Sequence, residues 1–222
     1  MIVMKKLFVF TVGLFSMAYI TASAQTDATP NKPVPGGALL LGPVVGFGNS
    51  WVDNMPGNVM FKASGYAGIS LIKMEGRHWG WGGQIDLSSE GYSVDDYGSI
   101  QTVKPLYLRV PLRAYYFFNR PSSWVRPNLY LGPSFGLKLG ETYTVSNAYY
   151  DNYVAHNSSM FRTFDAGVNG GAGLNFRLAR KMWLNLDLGF YQGFVDAVKD
   201  PYNTYNPNHD VDLSASLLFN LR

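Results

Sequence analysis

The side chains that most often do chemistry are scattered along this sequence of 222 residues. It contains three histidines, His78, His156 and His209, and no cysteine. A metal site needs several ligands close together, and these histidines fall in different predicted loops or strand ends. The lack of cysteine excludes a disulfide framework, a thiolate metal site and a lipid-anchored cysteine. We therefore expect no metal and no cofactor.

Two short stretches hold residue types that hydrolases use. His209 precedes Asp210 and Asp212, an arrangement that could form an acid–histidine site. His156 precedes Ser158 and Ser159, which could supply a nucleophile. The first stretch lacks a nucleophile and a second acidic pair, and the second lacks a third, orienting group in a strand context. The sequence thus predicts polar loop or strand-edge residues at both places, no catalytic residues and no enzyme.

The composition points away from a solvated surface and from nucleic acid. Charged residues make up 15% of the chain, aromatic residues another 15%, and there are 24 glycines. Charged residues are about a quarter of an ordinary soluble protein. The net charge of +3 is small and no basic run occurs, so nucleic acid is not an expected partner.

The N-terminus predicts export. Two lysines precede an apolar run over residues 7–20, which is too short to span a bilayer comfortably, and an A-x-A motif ends at Ala24. We expect residues 1–24 to be a signal peptide that is cleaved after Ala24, so that the mature chain begins at Gln25. Residues 25–37 are polar and rich in proline, and we expect them to form a flexible periplasmic tail.

From Ala38 onward, apolar and polar residues alternate with a period of two, which indicates β-strands. The alternation predicts eight strands, over residues 38–48, 59–72, 79–91, 102–118, 126–140, 164–179, 182–194 and 209–221. Long connections near residues 49–58, 91–101, 141–160 and 195–208 alternate with short turns near residues 74–78, 119–125 and 179–181. This alternation predicts an all-β fold, an eight-stranded antiparallel up-and-down barrel over residues 38–222.

Two kinds of barrel fit this pattern, and they put opposite faces outward. A lipocalin-type barrel hides its apolar face, whereas a transmembrane barrel shows that face to lipid. The polar faces here are rich in glycine, serine and asparagine and poor in lysine and glutamate, unlike a solvated surface. Aromatic residues also cluster at both strand ends, as membrane interfaces favour. The cluster at the short turns is Trp79, Trp81, Phe117, Phe118 and Trp124, and that at the long loops is Tyr92, Tyr97, Tyr143, Tyr149, Tyr150 and Tyr153. We therefore expect a transmembrane β-barrel with outer-membrane lipid around it.

The polar face is expected to fill the bore of this barrel. Its charges balance, and charges facing one another in a narrow barrel must pair, because an unpaired buried charge is very costly. The predicted lumenal polar network is Lys62, Asp86, Glu90, Arg109, Arg113, Lys138, Asp165, Arg177 and Asp187. Asp86 and Arg109 should lie at similar depth on neighbouring strands, and we expect them to form an ion pair. Because eight strands enclose just enough room for side chains, we expect little or no ion current.

The two ends of the predicted barrel differ in charge and in loop length. The long loops are acidic, whereas the short turns carry Lys73, Arg77, Arg120, Arg180 and Lys181 against Glu75. The longest connection, Gly140–Met160, exceeds the length of about 12–15 residues beyond which loops are usually functional or disordered. Tyrosine offers a large contact area at small entropic cost. The possible surface recognition residues are Tyr143, Tyr149, Tyr150 and Tyr153. They form either an upper aromatic girdle with a solvated tip or a recognition surface for an extracellular protein or glycan.

Two neighbouring predicted strands resemble a known family. The stretches "PLYLRVPLRAYYFF" (Pro105–Phe118) and "RPNLYLGPSFGLKL" (Arg126–Leu139) look like the core of the outer-membrane β-barrel family of Bacteroidota, often labelled porin-like or PorT-like. The most specific pieces are Tyr107–Leu112 and Gly132-Pro133. The resemblance implies an eight-stranded barrel in the outer membrane of a Gram-negative cell, with the barrel-assembly machinery as a partner during biogenesis. It does not imply one activity, although one member type is tied to protein secretion.

The sequence therefore predicts an integral outer-membrane barrel without catalysis, with a structural or surface-interaction role through its extracellular loops. Two alternatives stay open: a narrow porin for small solutes, and an accessory component of protein secretion.

Overall fold

The computed structural model of the protein describes residues 37–147, 150–156, 159–199 and 205–221. The predicted signal peptide and nearly all of the predicted tail lie outside these residues, as does Tyr149. The strands are β1 (Leu39–Val52), β2 (Asn58–Met60), β3 (Ala63–Glu75), β4 (Trp79–Ser89), β5 (Tyr92–Asp96), β6 (Ser99–Phe117), β7 (Val125–Asn147), β8 (Tyr150–His156), β9 (Phe164–Ala179), β10 (Met182–Asp196) and β11 (Pro207–Asn220). Among the described residues, no helix has the length and apolar character needed to cross a membrane.

Eight of these strands close into a ring in the order β1, β3, β4, β6, β7, β9, β10, β11. Neighbours in the ring are antiparallel, and the ring closes because β1 also pairs with β11, from Leu40 opposite Asn220 to Val52 opposite Asn208. Closure leaves the wall without an edge strand, which the hydrocarbon core of a membrane requires. The predicted eight-stranded up-and-down barrel is confirmed.

The period-two alternation decides which side chains face out of the barrel. On β4, Trp81, Ile85 and Leu87 are 58%, 59% and 51% exposed, whereas Gln84 and Asp86 between them are buried. The same alternation along the other ring strands gives an apolar exterior and a largely polar bore. This is the arrangement of a membrane barrel and the reverse of a soluble one.

An apolar cluster lies inside each end of the bore. The cluster near the short turns is Ala38, Leu40, Ile72, Met74, Tyr115, Phe117, Tyr130, Trp183 and Leu218. The cluster near the long connections is Val52, Tyr92, Val94, Val103, Tyr107, Phe161, Ala197 and Val198. Phe117 and Tyr92 are therefore buried, and their predicted places in lipid-facing aromatic girdles are wrong. Phe117 falls on the inward phase of β6, and Tyr92 lies on a strand that folds back against β6.

Three short strands extend the wall beyond the end that carries the long connections, which is extracellular in outer-membrane barrels. β2 pairs with β5, β5 with residues 99–103 of β6, and β8 with residues 142–147 of β7. We call these five paired segments the extracellular extension. The loops predicted near residues 91–101 and 141–160 are thus largely strand. Ladder pairing satisfies the backbone polar groups that a long exposed loop would leave to water, and polar residues on both faces hide the period-two signal there.

Candidate functional site: the bore and the extracellular extension

Arg109 is the centre of the buried charges in the bore. Its Nε and Nη2 donate to the two carboxylate oxygens of Glu90 at 2.6 and 2.5 Å, and Nη2 also donates to Asp165 at 2.8 Å. Glu90 accepts a further bond from Asn208 at 2.5 Å. Arg109, Glu90 and Asp165 are 7%, 3% and 0% exposed. One guanidinium therefore compensates two buried carboxylates, in the bidentate geometry that makes such pairs strong.

A glycine opens the path from Arg109 to Asp165. Arg109, Gly136 and Asp165 are successive register partners on β6, β7 and β9, so they lie in one row across these three strands. A Cβ atom at Gly136 would lie 3.4 Å from the guanidinium carbon of Arg109, in van der Waals contact with it. The side chain therefore crosses the backbone of one whole strand to reach its second acid.

Asp86 is the register partner of Arg109 on the other side, as expected, but the predicted ion pair between them does not form. The guanidinium of Arg109 reaches Glu90, just after the end of β4, and Asp165 on β9. The carboxylate of Asp86 leans over Gly68 on β3. With its amide turned to satisfy both neighbours, Gln84 donates to Asp86 at 3.1 Å and accepts from Arg113 at 2.6 Å. The alternation of the strands correctly predicts that both charges lie in the bore on neighbouring strands. It does not predict the direction in which each side chain points.

The direct hydrogen-bond and ring partners of Arg113 are neutral, although Asp86, Asp187 and Asp212 lie close enough to interact with its charge. Its Nε donates to Asn169 at 2.9 Å, and its guanidinium carbon lies 4.4 Å from the ring centre of Tyr130. Asn169, which the sequence analysis missed, also donates to two backbone carbonyls of β7 at 2.8 and 3.1 Å. The signal for it was available, because Pro111 and Pro133 on neighbouring strands remove ladder donors and disturb the pairing nearby.

The other predicted lumenal residues are spread over the height of the bore. Asp187 is buried and accepts a bond from a neighbouring asparagine at 2.6 Å. Lys62 is buried at the extracellular mouth, where its Nζ donates to a backbone carbonyl. Arg177 is half-buried at the opposite end, with its guanidinium 5.8 Å from the ring centre of Trp183. The structure thus holds these three residues apart from the cluster around Arg109.

Lys138 and Glu141 fasten the chain where it returns from the extension to the barrel. The Nζ of Lys138 donates to Glu141 at 2.7 Å and to the carbonyl of Phe161 at 2.5 Å. Glu141 also accepts the backbone N–H groups of Met160 and Phe161 at 3.0 and 2.9 Å. Spacing of three on a strand puts two residues on opposite faces, so Glu141 was missed. A register shift opposite Leu106–Tyr107 puts an extra residue into β7 and brings both side chains to one side.

The extension presents aromatic side chains to the outside. Tyr97 lies at the tip of the β5–β6 hairpin and is fully exposed, with φ of 49° followed by 82° at Gly98. Tyr153 on β8 is 61% exposed. Tyr143 is half-buried, and its hydroxyl donates to Gln101 at 3.1 Å. Burial and the neighbouring Tyr153 raise the pKa of Tyr143. Tyr149 and the side chain of Tyr150 lie outside the described residues.

The histidines occupy separate places. His209 Nε2 lies 2.9 Å from Asp53, and the ring of His209 stacks on that of Trp51. His78 Nδ1 lies 2.7 Å from the carbonyl of Phe117, and His156 is exposed. Within the described ranges, no group of three or more histidine, aspartate or glutamate side chains is arranged to hold a metal ion.

The family of the chain follows from its sequence together with this barrel. Residues 23–199 match the family defined as the outer membrane protein beta-barrel domain. The chain belongs to this family. It is an outer-membrane β-barrel whose apolar exterior lies in lipid, as the resemblance noted above implies at that level.

Several solved barrels share the architecture. The outer membrane protein OprG from Pseudomonas aeruginosa is 15% identical, with 87% of this chain and 97% of that one covered and a TM-score of 0.45. Ail of Yersinia pestis, solved with the heparin analogue sucrose octasulfate, is 14% identical over 83% and 99% of the two chains, with a TM-score of 0.42. Outer Membrane Protein W of E. coli is 13% identical over 84% and 98%, with a TM-score of 0.43. No curated protein sequence matches the chain. Identities this low say nothing about ligand or role.

Proposed function

We propose that this protein is a non-catalytic outer-membrane barrel that acts at the cell surface through its extracellular extension. Its partner would be an extracellular protein or glycan that binds the exposed aromatic side chains of the hairpins. Within the family, we place it in the porin-like or PorT-like group of Bacteroidota on the strength of its two proline-bearing strands. The proposal includes export with cleavage after Ala24, and a short periplasmic tail over residues 25–37.

The filled bore is the observation that carries this proposal over the alternative of a narrow porin. Arg109, Glu90 and Asp165 bond across the middle of the bore. An apolar cluster lies on each side of this polar layer, one at each end of the barrel. A hydrated ion would have to displace buried ion pairs and then shed its water between apolar side chains, and both steps are costly.

The extension supplies what the bore lacks, which is accessible surface on a rigid support. β6 and β7 continue from the wall into the extension, so the hairpins stand on strands that the barrel holds in place. The Lys138–Glu141 pair fastens the other side, where the chain returns at Met160 and Phe161. Recognition residues held on rigid elements bind with a smaller ordering cost than residues on a loose loop.

Surface crosslinking in the native cell tests the proposal, with a variant in which residues Ser146–His156 are replaced by a glycine–serine segment of equal length. The barrel ladder lies below this segment, so the variant should stay heat-modifiable and reach the outer membrane. It should lose the crosslinks that the native protein makes. If the crosslinked partners are unchanged, β8 takes no part in binding them.

Planar-bilayer recording separates the porin alternative. We expect no steady conductance from either the native protein or the glycine–serine variant. A large and stable current through the native protein would overturn the proposal, whatever the crosslinks show.

A further inference from the structure

The periplasmic end of the barrel carries exposed positive charge on every short turn. The β3–β4 turn presents Arg77, the β6–β7 connection presents Arg120, and the β9–β10 turn presents Arg180 and Lys181. We call these four residues the basic rim. Backbone bonds tie the turns to the barrel, such as that from Asn220 to the carbonyl of Lys181 at 2.8 Å. The charges therefore stand at fixed places around one end of the ring.

The described residues provide no acidic partner for the basic rim. None of the four side chains forms an ion pair with another part of the chain that the structure describes. The three turns contain one acid, Glu75, and its carboxylate is occupied by Lys73 at 2.8 Å. The extracellular end differs, because there Asp53, Asp96 and Asp196 accompany the exposed bases. The basic rim is thus a one-signed patch in a chain that otherwise mixes its charges.

The basic rim lies beside the lipid-facing indole rings. Trp79 follows the β3–β4 turn and Trp124 closes the β6–β7 connection, and both are exposed. Tryptophan on the outside of a membrane barrel marks the level of the lipid headgroups. Arg77 and Arg120 therefore stand at or just below that level, within reach of headgroup phosphates.

We propose that the basic rim binds the headgroups of anionic phospholipids in the periplasmic leaflet of the membrane. The phosphates supply the negative charge that the turns lack, and arginine is suited to them by its planar, bidentate donors. Basic residues next to a membrane attract anionic lipid in this way, and the attraction decays within a Debye length. The lipids around the periplasmic edge of the barrel are then enriched in acidic headgroups relative to the bulk leaflet.

The test uses the full folded protein in mixed bicelles of phosphatidylcholine and phosphatidylglycerol in equal amounts. Native mass spectrometry counts the lipids of each kind that stay bound after release. The rim variant and its matched control each replace three exposed bases by glutamine, at opposite ends of the barrel. The rim variant changes Arg120, Arg180 and Lys181, and the control changes Lys104, Arg162 and Lys199.

We expect the native protein and the control to retain phosphatidylglycerol several-fold over phosphatidylcholine, and the rim variant to lose this preference. One base near an anionic surface is worth roughly a fivefold change in binding. Salt near 1 M, where the Debye length is about 3 Å, should abolish the preference of the native protein.

Equal retention of the two lipids by the native protein, or equal losses in both variants, would overturn the proposal. Binding to purified peptidoglycan without any lipid preference would also overturn it and assign the rim to the cell wall. None of these outcomes bears on crosslinking at the opposite end.

Discussion

Arg109 and Arg113 lie four residues apart, two pleat repeats, on the same face of β6, yet their bonding partners differ. Arg109 bonds two carboxylates, whereas Arg113 bonds an asparagine and faces an aromatic ring. The loss of either side chain would empty the middle of the bore. The loss of Arg109 would leave two buried acids, Glu90 and Asp165, without the cation that bonds both. The loss of Arg113 would remove a cation that acts on Asp86 and Asp187 without a direct ion-pair contact.

The change Arg109→Ala should lower the free energy of unfolding by about 3–5 kcal/mol, because Glu90 and Asp165 would stay buried without their cation. Urea unfolding in lipid vesicles, followed by the heat-dependent gel shift of the barrel, measures this change. Lys104→Ala is the control, because this base is exposed and forms no ion pair with the described part of the chain. It should change the free energy by no more than about 0.5 kcal/mol. An equal effect of the two changes would contradict the role of Arg109.

The partners of Arg109 can be separated by a double-mutant cycle. Arg109→Ala combined with Glu90→Ala should cost clearly less than the sum of the single changes, because the two groups form one unit. Arg109→Ala combined with Asp86→Ala should come closer to the sum, since their side chains lean apart. Strict additivity for the Glu90 pair would show that the two residues do not act together.

Neighbouring strands of the barrel fit together because long lumenal side chains of one strand lean over glycines of the next. Each of the following pairs is in register, and a Cβ on the glycine would touch its partner: Tyr66 and Gly46, Asp86 and Gly68, Arg109 and Gly136, Tyr130 and Gly171, Asp187 and Gly173, Asp212 and Gly189. Glycine weakens an ordinary strand. Here it provides the space that the narrow bore needs, which explains why the strands contain so much of it.

The change Gly171→Ala tests this fit. A Cβ at Gly171 would lie 2.5 Å from the hydroxyl of Tyr130 and closer still to the carbonyl oxygen of Leu188 on β10. Because backbone blocks one side, we expect a loss of about 1–3 kcal/mol in the free energy of unfolding, the usual cost of overpacking. Gly140→Ala is the control, since nothing lies within 4 Å of its Cβ position. It should be neutral or slightly stabilising, and equal losses at both glycines would refute the close fit.

The sequence predicted the strands of the barrel better than it predicted the contacts inside the barrel. Alternation identified eight ring strands and placed Asp86, Arg109 and Asp165 in the bore, because one face had to meet lipid. It could not give the partner of Arg109, since the lean of a side chain depends on where a glycine lies on the neighbouring strand. It also missed the contact of Lys138 with Glu141, because a β-bulge in β7 breaks the period of two between them. β8 was taken for loop because residues 150–156 do not alternate between apolar and polar types.

At the scale of the whole molecule, the two ends are specialised in opposite ways. The extracellular end carries paired strands, acids and exposed tyrosines, and the periplasmic end carries short turns and unpaired bases. The bore between them is occupied mainly by side chains, with a small polar space lined by residues such as Asp86, Arg113 and Asp212. A barrel of this kind presents two different surfaces on the two sides of a membrane.

Cleavage of the signal peptide should determine the mass of the protein in the outer membrane. Protein isolated from the outer-membrane fraction should have the intact mass of residues 25–222, because the small residues ending at Ala24 suit signal peptidase. Ala24→Arg should block the cut and leave a longer precursor. The mass of all 222 residues in the native protein would refute the proposed processing.

The pairing of β1 with β11 determines when the ring can close during synthesis of the chain. The ribosome makes β1 first and β11 last, yet each of these strands has the other as its neighbour. Until residues 207–220 arrive, β1 and β10 both keep a bare edge beside an apolar outer face, which is the condition that favours aggregation. A chain that stops shortly before Pro207 lacks the strand that joins β1 to β10, so the ring cannot close as it does in this structure. Closure of the barrel therefore waits for residues 207–220, which are made after the seven other ring strands.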